Sequence, residues 1–434
     1  MPEVRRDDME PVLKPNRMAV NEFGSRQPDE AALPIKGLPA RPADHPGDVD
    51  AFSAGFMWPV AVIHRPALHN NATLMAEVCT RYGVEHAPHL KTAMSPQLAQ
   101  LQADSGAWGF TVGSTHQART ARTWGCQRMV LAAETVDAQF LGWVRSELDT
   151  DPRFEFYLFA DSEVGVRAAA QHLAGAGSRA GLLIEVGHPG GRTGVRSTDA
   201  AVDLARTIKH TGLSLAGVAG YEGTVGAERT PEVTAAILSY VQHIRLVAET
   251  LAQHNLLDDS RGDFIVSCGG STFFDVVAEE LGQPWSLSRP VAAVLRSGCY
   301  LLHDHAFYAA EAPTFSWGRQ LQPALEVWAQ VISRPEDRLA ILNAGRRDIG
   351  FDLGLPMPLR IIDPASGNQR PTTGTITELN DQHAYLELPD EHRVSVGNVV
   401  ALGLSHPCTT MDKWRAVPLL DEGNRVTGYV RTYF

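Results

Sequence analysis

The fold is decided by three apolar runs in the middle of the chain, FEFYLFA (154–160), GLLIEVG (181–187) and LAGVAGY (215–221). Helix-length amphipathic segments separate them. A strand that is apolar along almost its whole length is buried on both faces, and such strands are typical of parallel sheets covered by helices. This stretch therefore predicts an α/β fold.

Five further runs of the same kind flank these three, VEHAPHL (84–90), WGFTVG (108–113), RMVLAA (128–133), DFIVSCGG (263–270) and VAAVLRSG (291–298). Eight strand–helix units close naturally into a (β/α)8 barrel. We therefore predict such a barrel over residues 84–310. An open doubly wound sheet is the alternative that the pattern leaves open.

The sequence changes character on both sides of this region. Short strand-like runs with Pro, Gly and Asn between them follow it, and they predict a mainly antiparallel β domain over residues 311–434. Residues 56–83 predict a lead-in strand, VAVI (60–63), and a helix, and we expect that strand to join the β domain. Residues 1–55 carry Pro, Gly and charge with little periodicity, which predicts an irregular N-terminal arm.

The composition limits the partners of the chain. Its 434 residues are 44% hydrophobic and 20% charged, with a net charge of -12 and a mean hydropathy of -0.14. The negative charge argues against nucleic acid and anionic membranes, and no run approaches the roughly 18 apolar residues needed to cross a bilayer. The five cysteines form no CxxC pair and the N-terminus lacks a basic-then-apolar signal. We therefore expect a cytoplasmic protein without a nucleic-acid or membrane partner.

Lys91 is the first candidate for chemistry, because it lies just beyond the first predicted barrel strand, in PHLKT (88–92). Active sites of (β/α)8 barrels form at the carboxyl ends of the strands. Partial burial lowers the pKa of a lysine, and a neutral amine can form a Schiff base. Position alone also allows the plainer interpretation, an ammonium group in solvent.

A phosphate site is predicted at CGGST (268–272), which ends the seventh strand. Its glycines let the backbone approach an anion closely, and N–H groups and hydroxyls complete the cup. Barrels often bind phosphate after strands seven and eight, although an ordinary tight turn looks the same. Arg192, in a glycine-rich loop after the fifth strand, can face an anionic oxygen or solvent.

A metal site is suggested by His406 and Cys408 in the predicted β domain. Residues two apart in an extended segment point the same way. Imidazole and thiolate are both zinc ligands, and a site with two protein ligands keeps open positions that suit catalysis. The alternative is an ordinary histidine beside a buried cysteine.

Several separated motifs together resemble the D-serine dehydratase and D-threonine aldolase family. In order they are PHLKT, GRTGV, GYEG, CGGST, LRSGCYLLHD, LNDQHAYLEL and HPCTTMDKW. This family consists of fold-type III pyridoxal phosphate enzymes with an alanine-racemase-like barrel followed by a β domain, and the resemblance covers roughly residues 56–434. The tail HPCTTMDKW is most similar to bacterial D-amino acid deaminases of the D-serine dehydratase branch. The resemblance also implies a homodimer.

The resemblance assigns roles to individual residues. Lys91 matches the Schiff-base lysine, Arg192 the arginine near the phenolic oxygen of the cofactor, and Tyr221 a tyrosine that lines the pocket. The remaining cofactor-binding candidates are His89 and Tyr300, at the ends of strands one and eight, and the phosphate turn of Gly270, Ser271 and Thr272. His406 and Cys408 match the paired metal ligands. This pair is histidine and cysteine with zinc in the dehydratase branch, whereas the aldolase branch typically has aspartate as the second ligand and a manganese-like metal.

We therefore expect a pyridoxal phosphate- and zinc-dependent dehydratase that converts D-serine or a similar β-hydroxy D-amino acid to a 2-oxo acid and ammonia. A metal-activated D-threonine aldolase is the nearest alternative. A racemase has no need for the His406–Cys408 pair, and a non-catalytic pyridoxal phosphate carrier has no need for the β domain. A metal-dependent barrel enzyme without pyridoxal phosphate is a further alternative. THQ (115–117) and LNAGRRDIGFD (342–352) depart from the commoner family patterns.

Overall fold

The computed structural model describes residues 35–39, 49–258, 262–270, 272–389 and 394–434. Before the barrel, the chain forms β1 (Val49–Asp50), β2 (Val60–His64) and the helix α1 (Arg65–Tyr82). The barrel strands are β3 (Glu85–His86), β4 (Phe110–Val112), β5 (Arg128–Leu131), β6 (Glu155–Ala160), β7 (Ala180–Glu185), β8 (Ser214–Ala219), β9 (Phe264–Cys268) and β10 (Val291–Leu295). Each of the eight predicted runs thus overlaps a strand.

The eight strands form one parallel sheet in the order β3-β10-β9-β8-β7-β6-β5-β4. Its two ends meet, because the Trp108 amide donates to His86 O at 2.8 Å and the Thr111 amide donates to Pro88 O at 2.9 Å. Every residue of β7, β8 and β9 is buried, as expected for strands with helices outside and side chains inside. The predicted barrel is confirmed, and the open sheet is excluded.

Helices cover the outside of the barrel. They are α2 (Pro96–Asp104), α3 (Thr115–Thr123), α4 (Ala138–Thr150), α5 (Glu163–Leu173), α6 (Thr198–His210), α7 (Pro231–Gln253) and α8 (Phe274–Leu281). Local sequence explains where most of them begin. Ser95, Ser114, Ser162 and Ser197 each precede a helix and accept a hydrogen bond from an amide of its first turn, which satisfies donors that the helix itself leaves free.

The rest of the chain forms a mainly antiparallel β domain. Its strands are β11 (Leu325–Glu336), β12 (Leu339–Leu342), β13 (Met357–Ile362), β14 (Gln369–Pro371), β15 (Thr375–Leu379), β16 (Ala384–Glu387), β17 (Val399–Gly403), β18 (Ala416–Leu420) and β19 (Arg425–Arg431). Two short helices accompany them, α9 (Phe307–Glu311) and α10 (Pro407–Met411). The lead-in strand β2 lies in this sheet, antiparallel to β11 and parallel to β18.

The end of the predicted N-terminal arm also belongs to this sheet. β1 pairs with β19, and both Leu38 and Ala51 are buried in the core of the β domain. Residues 1–34 and 40–48 of the arm lie outside the described residues. The described part of the arm is therefore packed against the β domain, contrary to the expectation of a wholly irregular segment.

The two domains meet at the carboxyl ends of the barrel strands. The short helix α10 contacts the 3-10 turn Leu90–Thr92 that follows β3, and the His305 amide donates to Leu404 O at 2.9 Å. The β domain thus delivers residues 406–411 to the mouth of the barrel. None of the helices in the described ranges is long and apolar enough to cross a membrane.

Candidate active site

A cavity of about 470 Å³ opens where the barrel meets α10. It lies at the carboxyl ends of the strands, where the chemistry of such barrels is found. Eight of the residues predicted from the sequence line it, namely His89, Lys91, Arg192, Tyr221, Gly270, Thr272, His406 and Cys408. Residues from both domains therefore face one space.

Lys91 reaches this cavity from the 3-10 turn Leu90–Thr92. His89 begins the turn, and its Nδ1 accepts a hydrogen bond from the Lys91 amide at 3.4 Å. Burial and the neighbouring positive charges, that of Lys91 foremost, hold the pKa of His89 well below its ordinary value. His89 is consequently neutral, and its ring fixes the backbone that carries the lysine.

Arg192 and Tyr221 form another part of the wall. The Arg192 guanidinium lies 5.4 Å from the centre of the Tyr221 ring, and its Nη2 is 3.9 Å from Glu185 Oε1. Glu185 is buried and in turn contacts Glu134. Burial, followed by the hydrogen bond and charge of Glu185, raises the pKa of Glu134 to about 8. Glu134 is therefore protonated at neutral pH and can donate to Glu185.

The predicted phosphate turn lies against a buried carboxyl group. Gly269 has a φ of 125°, a conformation that strongly favours glycine. A Cβ on Gly270 would lie 2.0 Å from Glu222 Oε1, so no side chain fits there. Thr272 is buried and its carbonyl oxygen accepts a hydrogen bond from Arg229. Ser271, the third member of the predicted turn, lies outside the described residues.

His406 and Cys408 line the same cavity, but not from one extended segment as predicted, because His406 precedes α10 and Cys408 lies in its first turn. His406 Nδ1 lies 2.7 Å from Asp352 Oδ2, and Asp352 also accepts from Thr409 Oγ1 at 2.7 Å. Although burial opposes it, the interactions with Cys408 and Asp352 raise the pKa of His406 to about 9. The pair therefore favours the protonated form of the imidazole.

The sulfur of Cys408 has further neighbours on the barrel side. Cys299 Sγ is 3.2 Å away and Thr92 Oγ1 is 3.5 Å away. The hydrogen bond from Cys299 is the largest influence holding the pKa of Cys408 well below its ordinary value. Within the described ranges, no group of three or more His, Cys, Asp or Glu side chains is arranged to hold a metal ion. The predicted site thus has two protein donors, His406 and Cys408.

Tyr300 is the predicted site residue that the structure does not place on the cavity wall. It is buried, and its hydroxyl accepts a hydrogen bond from Gln102 Nε2 at 3.1 Å. Its ring packs edge-on against His86. Tyr300 supports the barrel wall behind the cavity, and the preceding residue, Cys299, faces the cavity instead.

Sequence reasoning also passed over three residues of the site. Arg296 is buried at the cavity floor, where it donates to Ser267 Oγ and Gly220 O, both at 2.6 Å. Arg296 follows β10 directly, and Cys299 lies three residues further on. Their positions at the carboxyl end of a barrel strand could therefore have marked both as site residues. Asp352 lies in the loop that departs from the family pattern, and nothing in its local sequence marks it as the partner of His406.

Comparisons with known proteins identify relatives of both domains. The family described as "Alanine racemase, N-terminal domain" matches residues 63–271, and that described as "Putative serine dehydratase domain" matches residues 324–420. The chain is 24% identical to the D-threonine aldolase of Arthrobacter sp. over 402 residues, 90% of this chain and 95% of that protein. It is 30% identical to the D-threo-3-hydroxyaspartate dehydratase of Delftia sp. (strain HT23) over 188 residues, 41% of this chain and 47% of that protein.

Solved structures share the fold. The D-threonine aldolase from Filomicrobium marinum superposes with a TM-score of 0.75 at 20% identity, covering 90% of this chain and 98% of that one. The D-threo-3-hydroxyaspartate dehydratase from Delftia sp. HT23 superposes with a TM-score of 0.69 at 22% identity, covering 88% of this chain and 98% of that one. The chain is therefore an alanine-racemase-like barrel protein with an appended β domain. Within that class it belongs to the D-serine dehydratase and D-threonine aldolase family of fold-type III pyridoxal phosphate enzymes.

The cavity fits the cofactor that this family implies. Lys91 supplies an amine, Arg192 and Arg296 supply positive charge, and Gly269 and Gly270 line the cavity without side chains that would fill it. Backbone of this kind can approach a phosphate closely. A soft metal fits the imidazole and thiolate of His406 and Cys408 by the chemistry of the donors.

Proposed function

We propose that the protein is a pyridoxal phosphate- and zinc-dependent dehydratase that converts a β-hydroxy D-amino acid such as D-serine or D-threonine to a 2-oxo acid and ammonia. One observation carries the proposal. Lys91, from the end of β3, and the His406–Cys408 pair, from the β domain, face the same cavity. The α-proton and the β-hydroxyl of the substrate are on adjacent carbons. A base and a Lewis acid that remove them must therefore face the same cavity.

Pyridoxal phosphate, when bound, supplies an electron sink for the α-carbon, and zinc supplies a Lewis acid for the departing hydroxyl. The protein holds and orients these groups. Lys91 would hold the cofactor through its amine, and its free amine would be the group placed to move the α-proton. Arg192 and Tyr221 would bound the cofactor, with Glu185 and protonated Glu134 behind Arg192 keeping its guanidinium in place.

His406 and Cys408 would hold the metal. Asp352 orients the imidazole through Nδ1, which leaves Nε2 for the metal, an arrangement that fixes both ring orientation and basicity. Phe307, Tyr308 and Leu353 add apolar surface to this side of the cavity. Such surface excludes water, which strengthens the electrostatic interactions that stabilise a departing hydroxide.

The choice of a dehydratase over an aldolase depends on Cys408. A thiolate favours zinc over manganese-like metals, and the resemblance places the histidine–cysteine pair in the dehydratase branch. The Delftia dehydratase has been solved as a cysteine-to-alanine mutant in the metal-free form. That structure of a relative supports the proposal that a cysteine takes part in metal binding.

An aldolase is the second candidate, favoured by the match to the D-threonine aldolase of Arthrobacter sp. over 90% of this chain. The same lysine and metal would serve it, but the bond between Cα and Cβ would break in place of the bond between Cβ and oxygen. The products separate the two reactions. A dehydratase releases a 2-oxo acid with ammonia, and an aldolase releases glycine with an aldehyde.

The reaction is tested with the holoenzyme and a panel of D- and L-forms of serine and threonine, scored for ammonia, 2-oxo acid and glycine. We expect ammonia and 2-oxo acid in equal amounts from the D-forms. Glycine as the main product from D-threonine would establish the aldolase. Lys91→Ala should abolish both turnover and the visible absorption of bound cofactor. Lys209→Ala is the matched control, because Lys209 is an exposed lysine of α6 whose Nζ donates to Asn255 O at 3.4 Å, and it does not line this cavity.

The metal role is tested with Cys408→Ser and its control Cys126→Ser, which changes a buried cysteine in the loop between α3 and β5, outside the cavity lining. We expect Cys408→Ser to lose zinc, measured by elemental analysis of the purified protein, and to lose 2-oxo acid production. Cys126→Ser should keep both. Full activity of a Cys408→Ser protein shown to be metal-free would contradict the proposed role of the metal.

A further inference from the structure

A turn at residues 35–39 of the N-terminal arm, here called the arm turn, packs against the β domain. Leu38 is fully buried in the core of that domain. Gly37 has a φ of 81°, a conformation that favours glycine. A Cβ on Gly37 would lie 2.9 Å from Val60 Cγ2 and 3.0 Å from Trp414 Cζ3. The backbone of the arm turn therefore approaches the β domain as closely as a residue without a side chain allows.

Lys36 is the charged residue of the arm turn, and its ammonium group has three partners on the β domain. Its Nζ lies 2.7 Å from Asp348 Oδ1 and donates to Arg347 O at 2.8 Å. It also lies 4.0 Å from the centre of the Trp414 ring. Asp348 is buried, so the pairing with Lys36 offsets the cost of removing a carboxylate from water. Loss of the ammonium group would leave that buried charge without this cation.

Asp348 belongs to the loop that ends at Asp352, the partner of a predicted metal ligand. Asp348 Oδ2 accepts a hydrogen bond from the Gly345 amide at 2.9 Å, while its Oδ1 faces the arm turn. Four residues later, Asp352 Oδ2 lies 2.7 Å from His406 Nδ1. The carboxylate that pairs with Lys36 therefore fixes the loop from which Asp352 reaches His406.

The same loop also contacts α10 and the residues after it. The Gly350 amide donates to Thr410 Oγ1, in α10, at 2.9 Å. Trp414 Nε1 donates to Asp348 O at 2.9 Å, and the ring of this tryptophan is the one that the Lys36 ammonium covers. The arm turn therefore contacts both segments that meet at the predicted metal pair, the loop before it and the chain beyond α10.

We infer that Lys36 is a positioning residue for the predicted metal site, which extends that site to the N-terminal arm. Through Asp348 it holds the loop that ends at Asp352. Asp352 in turn holds the His406 imidazole in the orientation that leaves Nε2 for the metal. Lys36 is not among the residues that line the cavity, and it lies outside both family matches. The inference rests on the metal role in the proposed function.

The experiment measures the zinc affinity of the full-length protein by competition with a chromophoric chelator. We expect Lys36→Met to bind zinc about tenfold more weakly than the wild type, the low end of the loss that follows removal of a partner of a metal-bound histidine. Lys36→Arg keeps a cation that can pair with Asp348 and stack on Trp414, so it should restore most of the affinity. Lys209→Met, at an exposed lysine of α6, is the control and should match the wild type.

A double variant separates positioning through Asp352 from a general loss of stability. If Lys36 acts through Asp352, adding Lys36→Met to Asp352→Ala should weaken zinc binding no further than Asp352→Ala does alone, because the effects of coupled residues do not add. A general loss of stability would weaken zinc binding in both backgrounds equally, and the thermal unfolding midpoint of each variant measures it separately. Lys36→Gln, which keeps a donor for Arg347 O, replaces Lys36→Met if that variant does not fold.

Failure of the inference and failure of the proposed function give different results. Wild-type zinc affinity in Lys36→Met would overturn the inference and leave the proposed function intact. An equal further loss of affinity in the Asp352→Ala background would do the same, because Lys36 would then not act through Asp352. A wild-type protein that binds no zinc would overturn the metal role in the proposed function, and this inference with it.

Discussion

Cys299 Sγ and Cys408 Sγ lie 3.2 Å apart, although the two cysteines belong to different domains. Cys299 begins the 3-10 turn after β10, and Cys408 lies in α10. Thr92 contacts both sulfurs, with its Oγ1 at 3.8 Å and 3.5 Å. Two barrel residues, Thr92 and Cys299, therefore contact the side chain of Cys408 and position this predicted metal ligand.

This pair should be sensitive to oxidation in the metal-free enzyme. A disulfide needs a sulfur separation of about 2.05 Å, so a shift of about 1 Å joins the two. Hydrogen peroxide would take both thiol protons and two electrons, leaving one disulfide and two water molecules. We expect two of the five free thiols to disappear in a thiol titration of the unfolded protein, and a reductant to restore them.

Cys299→Ser provides the control for this prediction, because it removes one sulfur and keeps a polar side chain of similar size. In that variant, peroxide should no longer consume thiols in a pair, and the intact mass should not fall by two hydrogens. Paired thiol loss at the wild-type rate would mean that Cys299 and Cys408 are not the residues oxidised.

Asp352 should set the affinity for the metal. It holds His406 through a 2.7 Å contact at Nδ1, and loss of such a partner typically weakens metal binding about 10- to 100-fold. We expect Asp352→Ala to show a loss of this size when the holoenzyme competes for zinc with a chromophoric chelator. Asp363→Ala is the matched control, since that carboxylate accepts hydrogen bonds from Ala365 and Ser366 in its own turn of the β domain. Equal zinc affinity in both variants would show that Asp352 does not support the metal ligand.

Gly270 should not tolerate a side chain. Its Cβ would lie 2.0 Å from Glu222 Oε1, and overpacking of this kind costs about 1–3 kcal/mol in folded proteins. Because the turn must shift to accept a methyl group, we expect Gly270→Ala to retain much less pyridoxal phosphate after dialysis, measured by visible absorption. Gly262→Ala, where nothing lies within 4 Å of the added atom, should retain the wild-type amount. Equal retention would show that the turn does not bind the phosphate.

Glu134 should make stability depend on pH. Burial and Glu185 raise the pKa of Glu134 from its ordinary value of 4.5 to about 8, so the folded state binds this proton more tightly than the unfolded state does. The stabilisation of the folded state by this proton is complete below the ordinary pKa of 4.5. It is lost as pH rises through about 8. We expect Glu134→Gln, which stays neutral, to lose less thermal stability than the wild type across this interval. Parallel unfolding midpoints for the two proteins would contradict the assignment.

The barrel was predictable because its signal is local. A run such as GLLIEVG is apolar along almost its whole length, which indicates a strand buried on both faces. Eight such strands alternating with helices can pack together in few ways, and the (β/α)8 barrel is one of them. The positions of Lys91 and of the Gly269–Gly270 turn at strand ends followed from the same pattern. The extended segment predicted for His406 and Cys408 was wrong, because Pro407 begins a short helix that contains Cys408.

Other residues of the site could not be identified in this way. Tyr300 and Cys299 are neighbours at the end of β10, and only the packing of the turn decides that Cys299 faces the cavity while Tyr300 contacts Gln102. Asp352 bonds to His406 across 54 positions of sequence. Such contacts depend on how separate segments pack, which no local pattern encodes.

The amino-acid sequence by itself therefore determined the barrel, the appended β domain and the family. These follow from hydrophobic periodicity and from short motifs whose residues are close in sequence. Only the tertiary structure decided that Lys91, His406 and Cys408 share one cavity, and that Cys299 lies against Cys408 across a separation of 109 residues. The physical reason is that these side chains meet only when two independently patterned domains pack against each other.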